Sequence, residues 1–442
     1  MSSAIAWSLV LALLLATGVQ AAGWPPDRTF FPILPWDPQH GWGKPGVERK
    51  HGLASIAECG FTMAGFVPPQ DLPECERLGL QAIMFPDADN VGSWTREWHR
   101  LSDAEIDGRV KAFVEACGTS DAILGYYIID EPSASMFPAL ARAVEAVRKY
   151  APGKLAYINL YPNYATVGAP DTSQLGTATY TEYLERYVAE VKPQFISYDN
   201  YMTQVSADMT NADVAARYWS NLMEVRRVAL ASGLPFWNIV SSNQIRPHTT
   251  VPSPANLLLQ TYTTLAAGGA GVSWYTYYGR GYAYAPIDQD DRKTPTWGYL
   301  QMVNRQLKTV GTVMNGLESA GVFFTPDVPP SDLPRLPGRI VKGVGVQTPA
   351  MVGEFTDGAG VDCAMVVNLS LKESARMLID TQKGYAERAA LSADSGEWMP
   401  LDEQNSLQIN PGSKAKLAPG GEAYRNGLWL AAGQGVLLKF RE

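Results

Sequence analysis

From Phe31 onward, short apolar runs alternate with longer segments whose apolar positions recur at helical spacing. The runs cover residues 31–36, 61–67, 81–85, 123–129, 155–161, 195–199, 236–240 and 268–278. Their near-continuous hydrophobicity is that of parallel strands buried on both faces. Helices are predicted between them at 47–58, 137–150 and 296–317. A further helix opens at Ser102, with Glu105 three residues on in a capping-box arrangement. Eight strands alternating with helices predict an α/β fold, a (β/α)8 TIM barrel. The competing arrangement is a doubly wound open sheet, but no Gly-rich phosphate loop follows the first run.

The texture then breaks. Pro326, Pro329, Pro330, Pro334 and Pro337 crowd one short window, which can neither continue a helix nor join a sheet. Beyond it, apolar stretches at 350–355, 363–368, 375–379 and 435–440 are divided by Gly, Asp and Asn turns, with no long helix between. This predicts a C-terminal antiparallel β-sandwich. The expected layout is a barrel over residues 23–322, a Pro-rich linker over 323–338 and a sandwich over 339–442.

Residues 1–22 read as an export signal. The stretch from Ala4 to Leu15 is apolar and too short to span a bilayer, and Val19-Gln20-Ala21 fits the small-x-small cleavage pattern. A secreted or periplasmic location is expected. No Lys or Arg precedes the apolar stretch, so a retained anchor is the alternative. No later segment is apolar for long enough to suggest an integral membrane span.

Charge narrows the partners. With 44 acidic and 36 basic residues, the net charge of −8 and the lack of any basic run exclude a phosphate-backbone partner, so no nucleic acid is expected. An anionic membrane surface is disfavoured for the same reason. The four cysteines (Cys59, Cys75, Cys117, Cys363) match no zinc or redox spacing, and the four histidines are scattered, so neither a metal nor another cofactor is expected. Cys59 and Cys75 could pair in an oxidising compartment; small buried thiols are the plainer reading.

Twelve Trp and 21 Tyr are more aromatic side chains than the core of such a chain usually needs. In a barrel the reactive groups lie just past the carboxyl ends of the strands. The fourth run ends Asp130-Glu131-Pro132, two adjacent carboxylates that packing alone does not explain. The sixth ends Asp199-Asn200-Tyr201, the first Trp36-Asp37, the fifth Tyr161-Pro162-Asn163, and the eighth carries Trp274 and Tyr277; Asn238 lies within the seventh. Any one of these aromatics could be plain core, and Asp130 could simply cap the next helix. Together they suit a carbohydrate: apolar sugar faces stack on Trp and Tyr rings while carboxylates hold the hydroxyls. Glycoside hydrolysis needs two carboxylates, one of them protonated. Glu131 fits the acid, because the negative charge of Asp130 beside it raises its proton affinity.

Eight strands, Asp-Glu-Pro at the end of the fourth, aromatics at the end of the eighth and a trailing sandwich resemble the retaining barrel glycoside hydrolases of clan A. That clan includes β-galactosidases, cellulases and β-1,3-glucanases. The likeness spans roughly residues 28 to 442, and the fourth-strand motif is its sharp part. It implies Glu131 as general acid/base, with Asp130 in place of the Asn that usually holds the sugar 2-hydroxyl. It also implies a nucleophilic Glu at the end of strand seven. The sequence departs there, since residues 236–246 hold no carboxylate. Asp199 is the best substitute, as nucleophile or as the base that activates water. Asp37 and the cluster Asp288, Asp290 and Asp291 are outside candidates; the cluster also reads as a solvated loop or a weak Ca²⁺ site.

The expected function is therefore a secreted hydrolase of a poly- or oligosaccharide, a β-glucan or β-galactoside foremost. Asp130, Trp36, Asp37, Tyr161, Asn200, Tyr201, Asn238, Trp274 and Tyr277 are its candidate sugar contacts. A barrel that binds glycans without cleaving them is the alternative. An aldolase or isomerase would want a strand-end Lys or a metal triad, and no run offers either.

Overall fold

The computed structural model describes residues 29–38, 50–86, 98–170, 172–206, 209, 211–279, 281–345, 348–401 and 427–442. The segment read as an export signal and the start of the helix expected at 47–58 lie outside these residues.

Eight parallel strands form the barrel: β1 (Ile33–Pro35), β2 (Met63–Val67), β3 (Gln81–Met84), β4 (Ile123–Asp130), β5 (Leu155–Leu160), β6 (Ile196–Asp199), β7 (Phe236–Ser241) and β8 (Gly271–Tyr275). Hydrogen-bonded ladders run unbroken from β2 round to β8 and on to β1. Thr62 closes the remaining seam: its backbone N–H donates to the Ile33 carbonyl, and its hydroxyl accepts from the Ile33 N–H at 2.9 Å. Helices α1 (Leu53–Glu58), α2 (Leu72–Leu78), α3 (Asp103–Cys117), α4 (Phe137–Tyr150), α5 (Tyr180–Arg186), α6 (Ala212–Ser232), α7 (Pro254–Ala266) and α8 (Pro295–Met314) follow in alternation. The expected capping box opens α3, with the Ser102 side chain and Glu105 each satisfying the other's backbone N–H. Aromatic rings fill the barrel interior. Trp36 packs against Phe66 at 4.8 Å between centroids and against Tyr157 at 5.4 Å, and Tyr157 meets Trp237 at 5.7 Å. This layer is the floor under the carboxyl ends of the strands.

The C-terminal part is the expected antiparallel sandwich. One sheet has six strands: β9 (Leu317–Phe324), β11 (Ala350–Asp357), β12 (Asp362–Asn368), β14 (Glu387–Leu391), β15 (Trp398–Pro400) and β17 (Gly435–Arg441). The other has three: β10 (Val341–Gly345), β13 (Ala375–Thr381) and β16 (Gly427–Leu430). Ile340, Val352, Val366, Met377, Leu430 and Phe440 lie in the core between them.

Two boundaries differ from the sequence reading. The helix expected to run to residue 317 stops at Met314, and the next residues form β9, which pairs with β11 from Leu317 onward. The sandwich therefore begins before residue 322. Nor is the Pro-rich stretch a loose linker. The Arg335 guanidinium donates to the carbonyls of Thr325, Val328 and Pro330 within 2.7 Å, and Val328 and Leu333 are buried. Prolines supply no N–H, so one side chain gathers the carbonyls that no ladder can use. Cys59 and Cys75 are free and buried, as are Cys117 and Cys363. Among the described residues no helix is long and apolar enough to cross a membrane.

Candidate active site

Adjacent residues of a regular strand face opposite sides, so Asp130 and Glu131 could not both look into the barrel from an unbroken β4. The chain solves this at the strand end. The β4–β5 register shifts between Tyr127 and Ile129, Asp130 then pairs with Asn159, and the Glu131 N–H donates to the Asn159 carbonyl at 2.9 Å. Glu131 takes φ 48°, a left-handed conformation that costs a non-Gly residue free energy. The turn brings both carboxyls over the barrel mouth. Asp130 is exposed and Glu131 half-buried.

Asp199, at the end of β6, is 2% exposed and shares a hydrogen bond with Glu131. Between Asp130 and Asp199 stands Asn159, whose amide nitrogen donates to the Oδ1 of each at 3.0 Å. Burial, with the Asp130 charge second, pushes the Glu131 carboxyl up to about 7. Burial, the charges of Glu131 and Asp130 and the hydrogen bond to Glu131 push Asp199 well up, with the Asn159 donation pulling the other way, while that same bond to Glu131 lowers Glu131. The pair thus holds one proton between two carboxyls well above the usual carboxylate range.

Tyrosines wall the cleft. Tyr161 and Tyr201 are half-buried, and the Tyr201 N–H donates to the Tyr164 hydroxyl at 3.2 Å. Tyr201 stacks on Tyr275 with centroids 5.1 Å apart and an interplanar angle of 29°, and the Tyr275 and Tyr282 hydroxyls lie 2.9 Å apart. All are half-buried and so keep part of their surface open.

Of the residues expected to contact a sugar, Asp130, Tyr161 and Tyr201 meet at this cleft with Glu131 and Asp199. The others do not. Trp274 is wholly buried and donates its indole N–H to Asn304 of α8, because β8 points Ser273 and Tyr275 inward and Trp274 outward. Tyr277 is buried between Ser55 and Trp297, at 2.8 and 3.0 Å from its hydroxyl. Asn238 faces α7 and donates to Thr264 at 3.0 Å. Asn200 is buried, donating to Asn221 and accepting from the Met202 N–H. Trp36 belongs to the aromatic floor. Asp37 is 0% exposed and accepts the Tyr277 and Tyr278 N–H groups, so it anchors the turn after β8. Within the acidic cluster, Asp288 and Asp290 are paired with Arg292 at 2.9 and 2.5 Å, and among the described residues no group of acids is arranged to hold a metal ion.

The end of β7, where clan A barrels carry their second Glu, is a closed network of amides and hydroxyls. Gln204 donates to Ser241 and accepts from the Ile245 N–H at 2.8 Å. Gln260 brackets the Ser241 backbone at 2.8 and 3.0 Å, and Asn243 donates to Thr276 at 3.1 Å. Asn159, Tyr164 and Tyr275 escaped sequence reasoning. For Asn159 the signal was present: a lone amide in the otherwise apolar run Leu-Ala-Tyr-Ile-Asn-Leu.

No protein-family model matches the chain, and no curated protein does. Solved structures do. A glycoside hydrolase family 5 protein from Bacteroides vulgatus is 12% identical, with a TM-score of 0.53 over 93% of this chain and 89% of that one. A second structure, described as a glycoside hydrolase, is 11% identical with the same TM-score over 93% of each chain. A β-galactosidase from the psychrophilic Marinomonas ef1 is 10% identical at a TM-score of 0.47, over 66% of this chain and 62% of its own. The chain thus spans less than two thirds of that enzyme's length. At these identities the likeness is one of fold, and in the two glycoside hydrolase structures with a TM-score of 0.53 it runs over 93% of this chain, barrel and sandwich together.

Proposed function

We propose that this protein is an exported glycoside hydrolase that cleaves a β-glucan or β-galactoside with retention of anomeric configuration. The observation that carries this reading is the hydrogen-bonded Glu131–Asp199 pair at the carboxyl ends of the barrel strands. Inverting enzymes separate their carboxyls by roughly 6.5–9.5 Å to admit a water, whereas retaining ones hold them about 5 Å apart. Two carboxyls near enough to share a hydrogen bond lie closer to the retaining separation than to the inverting one. Asp199 then attacks C1 as the C1–O bond breaks, and the leaving oxygen takes the Glu131 proton. In the second step the Glu131 carboxylate takes a proton from water, whose oxygen displaces Asp199 from C1. The fold shared with glycoside hydrolases and the tyrosine-walled cleft support a sugar as the ligand.

The test is reducing-sugar release from β-glucans, galactans, mannans and xylans by the chain lacking residues 1–22, beside its Glu131→Gln variant. The expected result is release by the parent and a loss of at least about a thousandfold in the variant, roughly 4 kcal/mol. Proton NMR of the first product then shows the substrate's own anomer. The acid-free end of β7 favours one rival, a barrel that binds without cleaving. Retention on a glycan column with no release from any substrate would decide for it.

A further inference from the structure

We infer that Asn159 is a positioning residue that opposes protonation of Asp199 and draws the shared proton toward Glu131. This rests on the reading of the pair as nucleophile and acid.

The geometry fixes what the Asn159 side chain can do. It is 1% exposed and sits between β4 and β6. Its Oδ1 accepts from the Ser197 hydroxyl at 2.9 Å, and the Ser197 oxygen lies 3.0 Å from the Tyr157 hydroxyl. Since the Ser197 proton is committed to Asn159, Tyr157 must be the donor to Ser197. This relay of buried hydroxyls pins the amide: turned over, its oxygen would face two carboxylates and its nitrogen a donor. Asn159 can therefore only donate, one proton each to the Oδ1 of Asp130 and of Asp199, both at 3.0 Å. Accepting this bond makes each of those oxygens the less basic of its carboxyl's two, so a proton settles on the other. The shared proton is left two seats, the other oxygen of Asp199 or Glu131.

Burial favours the first seat, because Asp199 is 2% exposed and Glu131 only half-buried, and the bond between the two carboxyls, which raises Asp199 and lowers Glu131, acts the same way. A charge-assisted hydrogen bond to Asp199 acts the other way. Among the described residues, the other titratable groups that interact with the site's carboxyls are tyrosines: Tyr127 from β4, Tyr157, Tyr161 and Tyr164 from β5 and its loop, Tyr180 from α5, and Tyr198 and Tyr201 from β6. Burial holds all of them above their ordinary range, so they stay neutral through the relevant pH. Asn159 is the counterweight that the strand geometry supplies.

Asn159→Leu keeps the volume and removes both donors. Ser197→Ala is milder: it keeps the amide and frees it to turn. Infrared spectra of the protonated carboxyl stretch, with ¹³C-labelled aspartate to separate Asp199 from Glu131, read the proton's seat without any substrate. Both variants should move protonated-carboxyl intensity from the glutamate to the aspartate band. With a cleavable glycan, the acidic limb of kcat/KM should rise by about one pH unit or more in Asn159→Leu. Unchanged bands in both variants, each folded by circular dichroism, would overturn the inference. A parent that cleaves nothing would overturn the hydrolase reading instead, and the bands would still decide the role of Asn159.

Discussion

The left-handed turn at Glu131 puts two carboxylates on one face, and the molecule bears the consequence as a dependence on pH. A folded-state value of about 7 against an ordinary 4.5 means that the native state binds this proton more tightly than the unfolded chain does. Its contribution is therefore fully present below about 4.5 and is lost as pH rises through about 7. The loss is up to about 3 kcal/mol if the shift is taken whole, and less once solvent screening at a half-buried group is allowed for. Glu131→Gln cannot ionise. Its thermal midpoint should match the parent's near pH 4 and exceed it at pH 8, whatever the variant's activity; equal midpoints at pH 8 would refute the strained, acid-holding Glu131. On the proposed mechanism, activity of the parent should fall through the same window, since a general acid must keep its proton. The acid pair was legible in the sequence because an apolar strand has no packing use for two terminal carboxylates. The aromatic partner was misread by one position. Trp274 is the larger ring, but strand parity, invisible until the inward side of β8 is known, gives the cleft to Tyr275.

At the scale of elements, continuous apolar runs announced all eight barrel strands, because parallel strands covered on both faces leave no polar phase to confuse. The sandwich strands were harder. β9 reads Leu-Glu-Ser-Ala-Gly-Val-Phe-Phe directly after a helix, and nothing in its first residues interrupts a helical reading. β14 is Glu-Arg-Ala-Ala-Leu, helix-forming residues held as a strand by pairing with β15 and β17. Tertiary pairing overrode local propensity there. Glycines mark where the sheet meets the barrel. A Cβ on Gly353 of β11 would sit 2.0 Å from the Ala266 carbonyl oxygen at the end of α7, backbone that no rotamer change can move. Gly353→Ala should therefore cost about 2–3 kcal/mol by forcing sheet and helix apart. Gly108 lies inside α3 with open space around it, and Gly108→Ala should add about 0.5–1 kcal/mol. Opposite signs in denaturant midpoints would bear out the contact; two destabilising variants would not.

At the scale of the molecule, the question is whether barrel and sandwich are two folding units or one. Helix α7 answers it. A helix on the outside of a free barrel shows one polar face to water, yet α7 is buried at every residue from Asn256 to Ala266. Its outer side meets the six-stranded sheet, whose Met351, Phe355, Cys363, Met365 and Leu437 belong to the same apolar cluster as the barrel. Arg226 of α6 reaches Ser319 of β9 at 2.9 Å across the same boundary. The sheet is in effect the barrel's missing outer layer, and only the second cluster, between the two sheets, is the sandwich's own. Calorimetry should then show one endotherm, with tryptophan fluorescence, reporting mainly the barrel, melting at the same temperature as the far-ultraviolet signal of the whole chain. A chain ending at residue 316 would expose the apolar outer face of α7 and should be recovered as aggregate. A soluble truncated barrel, or two separable transitions, would mean that α7 can find another cover and that the cleft does not depend on the sandwich behind it.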